Sequence, residues 1–184
     1  MASGSSGASS TASGQRQRNI FVSSTSVDLA PAYRPAVRGA ITLLRQRAQM
    51  MEDFGARDGD GSSVSTAEVA AADLVLVVVA WRYGYVPEGE TRSVTHLEYL
   101  EARRLGKPVL VFLAAAETEA RDAPFPHDQR DPEHAAQLKA FRAELERSHV
   151  AAYFTTPDEL ERAVTRALSG WLSQQSARRE QMGA

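Results

Sequence analysis

The segment 73–80, Asp-Leu-Val-Leu-Val-Val-Val-Ala, limits the fold of this chain more than any other feature. Its central residues are all apolar, so a strand formed here needs cover on both of its faces. Such strands are typical of the centre of a parallel sheet that has helices on both sides. A second run, 107–114, has the same character. At 184 residues with 43% hydrophobic content, the chain can build one such domain.

Strand and helix patterns alternate along the chain. Strands are predicted over 19–23, 49–54, 73–80, 107–114 and 150–154, and helices over 31–47, 65–72, 95–105, 131–147 and 156–172. The fold class is therefore α/β and flavodoxin-like: a five-stranded parallel sheet of order 2-1-3-4-5 with helices on both faces. Gly106 is expected to end the third helix, and Asp131 to cap the fourth.

The ends of the chain differ in composition from its middle. Residues 1–18 are rich in Ser, Gly, Ala and Thr, and are expected to form a flexible leader or an added expression segment. The globular domain is predicted to span 19–174. Residues 175–184 are interpreted as a polar tail or linker.

Composition excludes several classes of function. The chain has no cysteine, so it has no disulfide, thiol nucleophile or Cys-based metal site. With a net charge of -2 and a pI of about 6.1, we expect no nucleic-acid partner. No apolar run approaches the roughly 20 residues needed to cross a bilayer. The four histidines are dispersed, so we expect no metal site. We also expect no bound cofactor, and a cytoplasmic location.

Ligands of such sheets bind beyond the carboxyl ends of the strands, where successive connections diverge to opposite faces. Here that crevice lies between the first and third strands. The first loop offers the hydroxyls and backbone N–H groups of Ser23, Ser24 and Thr25, a setting that favours phosphate, and the carboxylate of Asp28. Alternatively, Asp28 and the serines only cap the first helix.

The second loop, Trp-Arg-Tyr-Gly-Tyr at 81–85, offers aromatic rings and a cation. Trp81 and Tyr83 could stack on a base, as could Tyr85, and Arg82 could bind an anionic group. In the alternative interpretation the aromatic residues only cover the edge of the sheet.

Glu98 lies early in the predicted third helix and also has two interpretations. The sequence Thr95-His-Leu-Glu98 matches a capping box, in which the Glu bonds back to the cap residue. The same spacing occurs at Ser65/Glu68 and at Thr156/Glu159. The other interpretation is that Glu98 faces the crevice and takes part in chemistry.

Five strings in order carry a resemblance to a known family: IFVSSTSVDL, MEDFGA, ADLVLVVVAWRYGYVPEG, SVTHLEYLEA and GKPVLVFL. Together they resemble the domain-of-unknown-function family 4062 (DUF4062), whose members are similar to TIR domains. This implies a TIR-like domain at the N-terminus of a larger protein that also carries an NTPase module and repeats. The string MEDFGARDGDG stands where TIR domains have a loop used in self-association.

The resemblance also implies a role for Glu98. It is similar in position to the catalytic carboxylate of NAD-cleaving TIR domains, and to the nucleophile that nucleoside deoxyribosyltransferases place ahead of Gly-Lys-Pro-Val. NAD or a related nucleotide would then be a substrate cleaved at its ribosyl–base bond. Ser23 or Asp28 could bind ribose, Arg82 the diphosphate, and Trp81 or Tyr83 the base.

One departure from the TIR pattern favours a different function. The Trp-Cys pair that precedes the TIR glutamate is replaced here by His96 and Leu97. Two hypotheses therefore stand: a signalling or effector module that cleaves a nucleotide, and a non-catalytic domain that self-associates.

Overall fold

A computed structural model describes residues 16–29, 32–53, 61–115 and 131–183 of the chain. Its strands are β1 (Asn19–Ser24), β2 (Arg47–Gln49), β3 (Leu74–Val79), β4 (Val109–Ala114) and β5 (Ala152–Phe154). All neighbouring pairs are parallel and the order is β2-β1-β3-β4-β5. The predicted flavodoxin-like sheet is confirmed.

Within the described ranges, five α-helices cover the sheet: α1 (Tyr33–Leu43), α2 (Gly61–Ala71), α3 (Val94–Arg104), α4 (Ala135–Ser148) and α5 (Pro157–Gly183). α1 and α5 pack together on one face, and the other face carries α2, α3 and α4. Among the helices described, none is long and apolar enough to cross a membrane.

β3 has buried side chains on both of its faces, as its sequence predicts. Its residues alternate between two cores. The core formed with α1 and α5 contains Leu74, Leu76 and Val78. The core formed with the other helices contains Val75, Val77 and Val79. None is more than 3% exposed. At about 1.5–3 kcal/mol for each buried aliphatic side chain, this strand contributes much of the driving force for folding.

β1 and β3 are neighbours whose following helices lie on opposite faces. β1 leads into α1, and β3 leads into α3 on the far side. Ser23 pairs in register with Val77, and Ser24 with Val78. The two connections therefore diverge at the carboxyl ends of β1 and β3 and leave a crevice between them.

The second strand was predicted too late in the chain. β2 ends at Gln49, and a 3₁₀ turn (Met51–Asp53) follows it. The chain leaves α1 early, at Leu43, and Arg45 adopts a left-handed φ of 57° that turns it toward the sheet. Oδ2 of Asp53 accepts the N–H of Met50 at 2.9 Å, which stabilises the turn. Residues 54–60, the rest of the proposed self-association loop, lie outside the described ranges.

Two predicted helix starts are wrong. α2 begins at Gly61, so Ser65 lies inside the helix and cannot cap it, and Glu68 accepts a hydrogen bond from Gln49 instead. α4 begins at Ala135 with His134 at the cap position. Asp131 pairs with the His134 side chain and does not cap that helix.

Other helix signals are confirmed. Oγ1 of Thr156 accepts the N–H of Glu159 at 3.2 Å, and the Glu159 carboxylate accepts the N–H of Thr155 at 2.8 Å. Gly106 has a φ of 63° just after α3, as a helix-ending glycine should. α5 continues to Gly183, well beyond the predicted end near Leu172.

Candidate functional site

A cavity of about 510 Å³ opens at the carboxyl ends of β1 and β3, where this fold is expected to bind ligands. Its wall combines the β1–α1 and β3–α3 connections, the first turns of α3 and the residues just before α4. Five of the residues that the sequence assigns to the site lie on this wall: Ser24, Thr25, Arg82, Tyr85 and Glu98.

Asp28 joins the two loops that the sequence predicts to converge. Its Oδ2 accepts the backbone N–H groups of Trp81 and Arg82, both at 3.0 Å, and its Oδ1 accepts the hydroxyl of Thr25. Burial raises the pKa of Asp28, and these hydrogen bonds oppose the rise. The cap position of α1 belongs to Ala32, which makes no side-chain cap bond, so Asp28 does not cap that helix. Asp28 lies behind the cavity wall and fixes its shape.

Gly84 lets the second loop approach the first. It has a φ of 94°, and a Cβ at this position would lie 2.8 Å from Cγ2 of Thr25. Because only glycine meets both conditions without strain, the glycine in Trp-Arg-Tyr-Gly-Tyr is a requirement of the cavity wall.

The capping interpretation of Glu98 is wrong. α3 begins at Val94, and Oγ of Ser93 accepts the N–H of His96 at 3.3 Å, so Ser93 is the cap. Thr95 lies inside the helix, and Glu98 is too far along it to bond back to a cap residue.

The Glu98 carboxyl is buried against the end of β1. The residue is 2% exposed, and its Oε2 accepts the Ser23 hydroxyl at 2.5 Å. Its other oxygen, Oε1, has no hydrogen-bond partner among the described residues. Burial raises the pKa of Glu98 to about 7, while Ser23, Ser65 and the positive charge of Arg34 act in the opposite direction. At neutral pH the group is thus divided between its charged and neutral forms.

Two side chains near Glu98 have roles that differ from the sequence interpretation. Ser23 is fully buried and does not line the cavity; besides Glu98, its hydroxyl lies 3.3 Å from the carbonyl oxygen of Thr95. Arg34, which sequence reasoning missed, lies on the wall and donates to Oγ of Ser24 at 2.7 Å. The sequence does contain a signal for this role, because Arg34 is a charged residue on the otherwise apolar, buried face of α1.

Two of the three predicted stacking residues, Trp81 and Tyr83, lie behind the wall. Trp81 is 6% exposed and packs edge-on against Tyr33, with ring centroids 5.8 Å apart. Tyr83 is 3% exposed, and its hydroxyl lies 2.8 Å from Nδ1 of His96. Neither lines the cavity that holds Glu98. The third predicted stacking residue, Tyr85, lines that cavity and is 73% exposed.

The segment before α4 contributes three polar residues that the sequence analysis did not assign to the site: Asp131, Glu133 and His134. They come from a region far from both loops in sequence, so only the fold brings them to the cavity. In the described part of the chain, no group of three His, Asp or Glu side chains could hold a metal ion.

The model of the family described as "Domain of unknown function (DUF4062)" matches residues 19–169. The chain belongs to the DUF4062 family. The match includes both loops of the cavity, Glu98 and the three polar residues before α4, so the candidate site lies wholly within the DUF4062 domain. No curated protein matches the chain.

Among solved structures, this DUF4062 domain is similar to the TIR domains of the activated Roq1 resistosome that directly recognises the pathogen effector XopQ. That match has 14% identity and a TM-score of 0.44 and covers 82% of each chain. It is also similar to a 2-desoxiribosyltransferase from Leishmania mexicana, with 16% identity and a TM-score of 0.40, covering 69% of this chain and 97% of the other. Likeness at this level does not carry function from those proteins to this one.

Proposed function

We propose that the DUF4062 domain binds a nucleotide in the cavity at β1 and β3 and that Glu98 cleaves its ribosyl–base bond. The observation that carries this proposal is the state of Glu98. Its carboxyl is buried, one oxygen is held by Ser23, and the other has no partner among the described residues, at the wall of a cavity of about 510 Å³. A structural carboxylate would instead have both oxygens satisfied.

The chemistry requires a carboxylate beside the sugar. Cleavage of a ribosyl–base bond builds positive charge on C1′, and an ionised carboxyl stabilises that charge or attacks the carbon. Burial raises the pKa of Glu98 because its carboxyl lies in a site of low polarity, and the group is ionised above a pH of about 7. There its attraction for the developing cation is stronger than in water.

The cavity wall supplies groups for the rest of a nucleotide. Ser24 and Thr25 offer hydroxyls, and Arg82 offers a cation for phosphate. Tyr85, which is exposed on the same wall, is better placed to stack on a base than the buried Trp81 and Tyr83. Ser23 acts as a positioning residue for Glu98 and does not bind ribose.

The test is nicotinamide release from NAD by concentrated protein, with and without fusion to an oligomerising domain. Wild type is compared with Glu98→Gln, which keeps the side-chain shape. The matched control is Glu101→Gln, a half-buried position one turn later that pairs with the exposed Arg104. We expect release that Glu98→Gln lowers at least a hundredfold and Glu101→Gln leaves within twofold. Release that is equal in the two variants would remove Glu98 from the mechanism.

Exposed apolar side chains around the cavity favour a second candidate function, self-association without catalysis. Val27 is 57% exposed, Met51 39% and Tyr85 73%, and all three line the same opening. Apolar groups concentrated at one opening are typical of a contact surface. Sedimentation of wild type and Val27→Ser tests this function. A concentration-dependent oligomer that the variant weakens, together with no nucleotide cleavage, would favour a signalling module of a larger protein.

A further inference from the structure

We propose that Asp131 and His134 form an acid–base pair in the Glu98 cavity, and that the substrate is a neutral nucleoside or nucleotide whose base must be protonated as it leaves. This inference rests on the proposed function of Glu98 and narrows its substrate class. It also makes NAD a less suitable substrate than a neutral nucleoside, since nicotinamide leaves without needing a proton.

The pair has the geometry of an oriented imidazole. Nδ1 of His134 lies 3.0 Å from Oδ1 and 3.1 Å from Oδ2 of Asp131. A carboxylate only accepts hydrogen bonds, so Nδ1 is the donor and Nε2 is the nitrogen that remains to exchange a proton. Within the described ranges, no residue hydrogen-bonds Nε2. The Asp131 side chain is 9% exposed and that of His134 27%, so the pair is sheltered yet reachable from the cavity.

Packing holds the imidazole in place. The ring centroids of Tyr83 and His134 lie 6.1 Å apart. The Tyr83 hydroxyl is itself hydrogen-bonded to Nδ1 of His96 at 2.8 Å. His134 occupies the cap position of α4, but its side chain makes no cap hydrogen bond. Capping of the helix, the common structural role of a polar residue at this position, therefore does not explain the orientation of the His134 side chain.

Both halves of the needed chemistry meet on one wall. Glu98 and His134 line the same cavity but come from α3 and from the start of α4. A buried carboxyl with an unpartnered oxygen suits the sugar cation, and an oriented imidazole suits the departing base. Glycosidic cleavage uses this division of labour between two groups when the leaving group is poor.

The proposed step balances as a hydrolysis. The C1′–N bond breaks, its electron pair goes to the base nitrogen, and Nε2 of His134 gives that nitrogen a proton. Water adds to C1′ while Glu98 stabilises the positive charge there, and the proton lost by the water returns to His134. The products are the neutral base and the free sugar. NAD has no need of the first proton transfer because its pyridinium leaves as neutral nicotinamide.

The test compares leaving groups. Inosine carries a base that needs a proton, whereas 4-nitrophenyl riboside releases a stable anion that needs none. We expect His134→Gln to lower inosine hydrolysis by about 10²–10⁴-fold and to leave nitrophenyl release within about threefold. Glu98→Gln should lower both. The matched control is His149→Gln, a histidine that contacts Tyr99 away from the cavity and should change neither.

Each outcome separates the inference from the proposed function. No cleavage of inosine, nitrophenyl riboside or NAD by the wild type overturns both. Cleavage of NAD but not of inosine, or equal losses on both ribosides in His134→Gln, overturns the acid–base pair alone. If His134→Gln does not fold, Asp131→Asn carries the test: a loss of about tenfold confined to inosine, with a shifted pH profile, supports the pair, and an unchanged rate and profile overturns it.

Discussion

The hydroxyl of Ser23, at the end of β1, lies 2.5 Å from Oε2 of Glu98 in the second turn of α3, although the two residues are 75 positions apart in the chain. This contact joins the end of β1 to α3, the helix that follows β3. It holds one carboxyl oxygen, while the other, which is also buried, has no hydrogen-bond partner among the described residues. The properties of the site therefore depend on a residue pair that no local pattern links.

Replacement of Glu98 by Gln should change how stability depends on pH. The pKa of Glu98 is about 7 in the folded protein against an ordinary value of 4.5. Between these values the unfolded chain loses the proton first, so wild-type stability falls as pH rises from about 4.5 to about 7 and is then level. Because glutamine does not titrate, the variant should gain about 3 kcal/mol relative to wild type over this range.

Urea unfolding at pH 4.5 and pH 8 measures this difference. Glu101→Gln is the control on the same helix, because its half-buried side chain pairs with the exposed Arg104, and such a pair contributes about 1 kcal/mol or less. A stability difference between Glu98→Gln and wild type that is the same at both pH values would contradict the raised pKa.

Ser23→Ala should raise the pKa of Glu98 further. The Ser23 hydroxyl stabilises the ionised carboxylate, and its loss leaves a buried charge without its donor. We expect a cost of about 1–3 kcal/mol at pH 8 and a smaller cost at pH 5. An NMR titration of the Glu98 side-chain carboxyl carbon follows the shift directly. Ser26→Ala, in the exposed part of the same loop, should leave the titration unchanged.

Asp28→Ala should loosen the loops around the cavity. The backbone N–H groups of Trp81 and Arg82 would lose their acceptor, and Thr25 would lose its partner. We expect a loss of about 2–4 kcal/mol in urea unfolding. The exposed Asp158, in the first turn of α5, provides a control that should cost less than about 1 kcal/mol. Comparable losses in the two variants would mean that Asp28 does not tie the loops.

Gly84→Ala should destabilise the protein more than Gly89→Ala. Both glycines have positive φ, but a Cβ at Gly84 meets Thr25 at 2.8 Å whereas a Cβ at Gly89 meets nothing within 4 Å. We expect about 1–2 kcal/mol for Gly89→Ala from the backbone alone. Gly84→Ala should cost about 1–3 kcal/mol more.

A double variant isolates the contact at Gly84. Thr25→Ser removes the methyl group that the new Cβ would meet, and should recover most of the additional cost in thermal or urea unfolding. No recovery would show that the difference between the two glycines arises elsewhere.

The position of the site could be predicted, but the roles of its residues could not. The alternation of strands and helices places a crevice between β1 and β3, and five predicted residues line it. Trp81 and Tyr83 were expected there for their chemistry, yet both are buried in the cores. No local sequence pattern indicates that Asp131 and His134 belong to the site, because their segment reaches the cavity only through the packing of α4.

The fate of Glu98 shows the same limit. Both Ser93 and Thr95 are good cap residue types, and local rules alone favour Thr95 because Glu98 follows it at capping-box spacing. In the fold the N–H of Val94 bonds to the carbonyl oxygen of Tyr85 at 2.9 Å, which ties the helix start to the preceding loop. Ser93 is thereby the cap, and Glu98 turns toward β1.

The amino-acid order by itself determined the parallel sheet, its strand order and the edge where a ligand can bind, because apolar runs buried on both faces have few alternatives. Tertiary structure alone decided which side chains face that edge. Side-chain direction depends on where each helix begins, and burial at the crossing of β1 and α3 set the charge state of Glu98. Local sequence patterns contain neither the side-chain directions nor the charge state of Glu98, since both arise from contacts between residues that are distant in the chain.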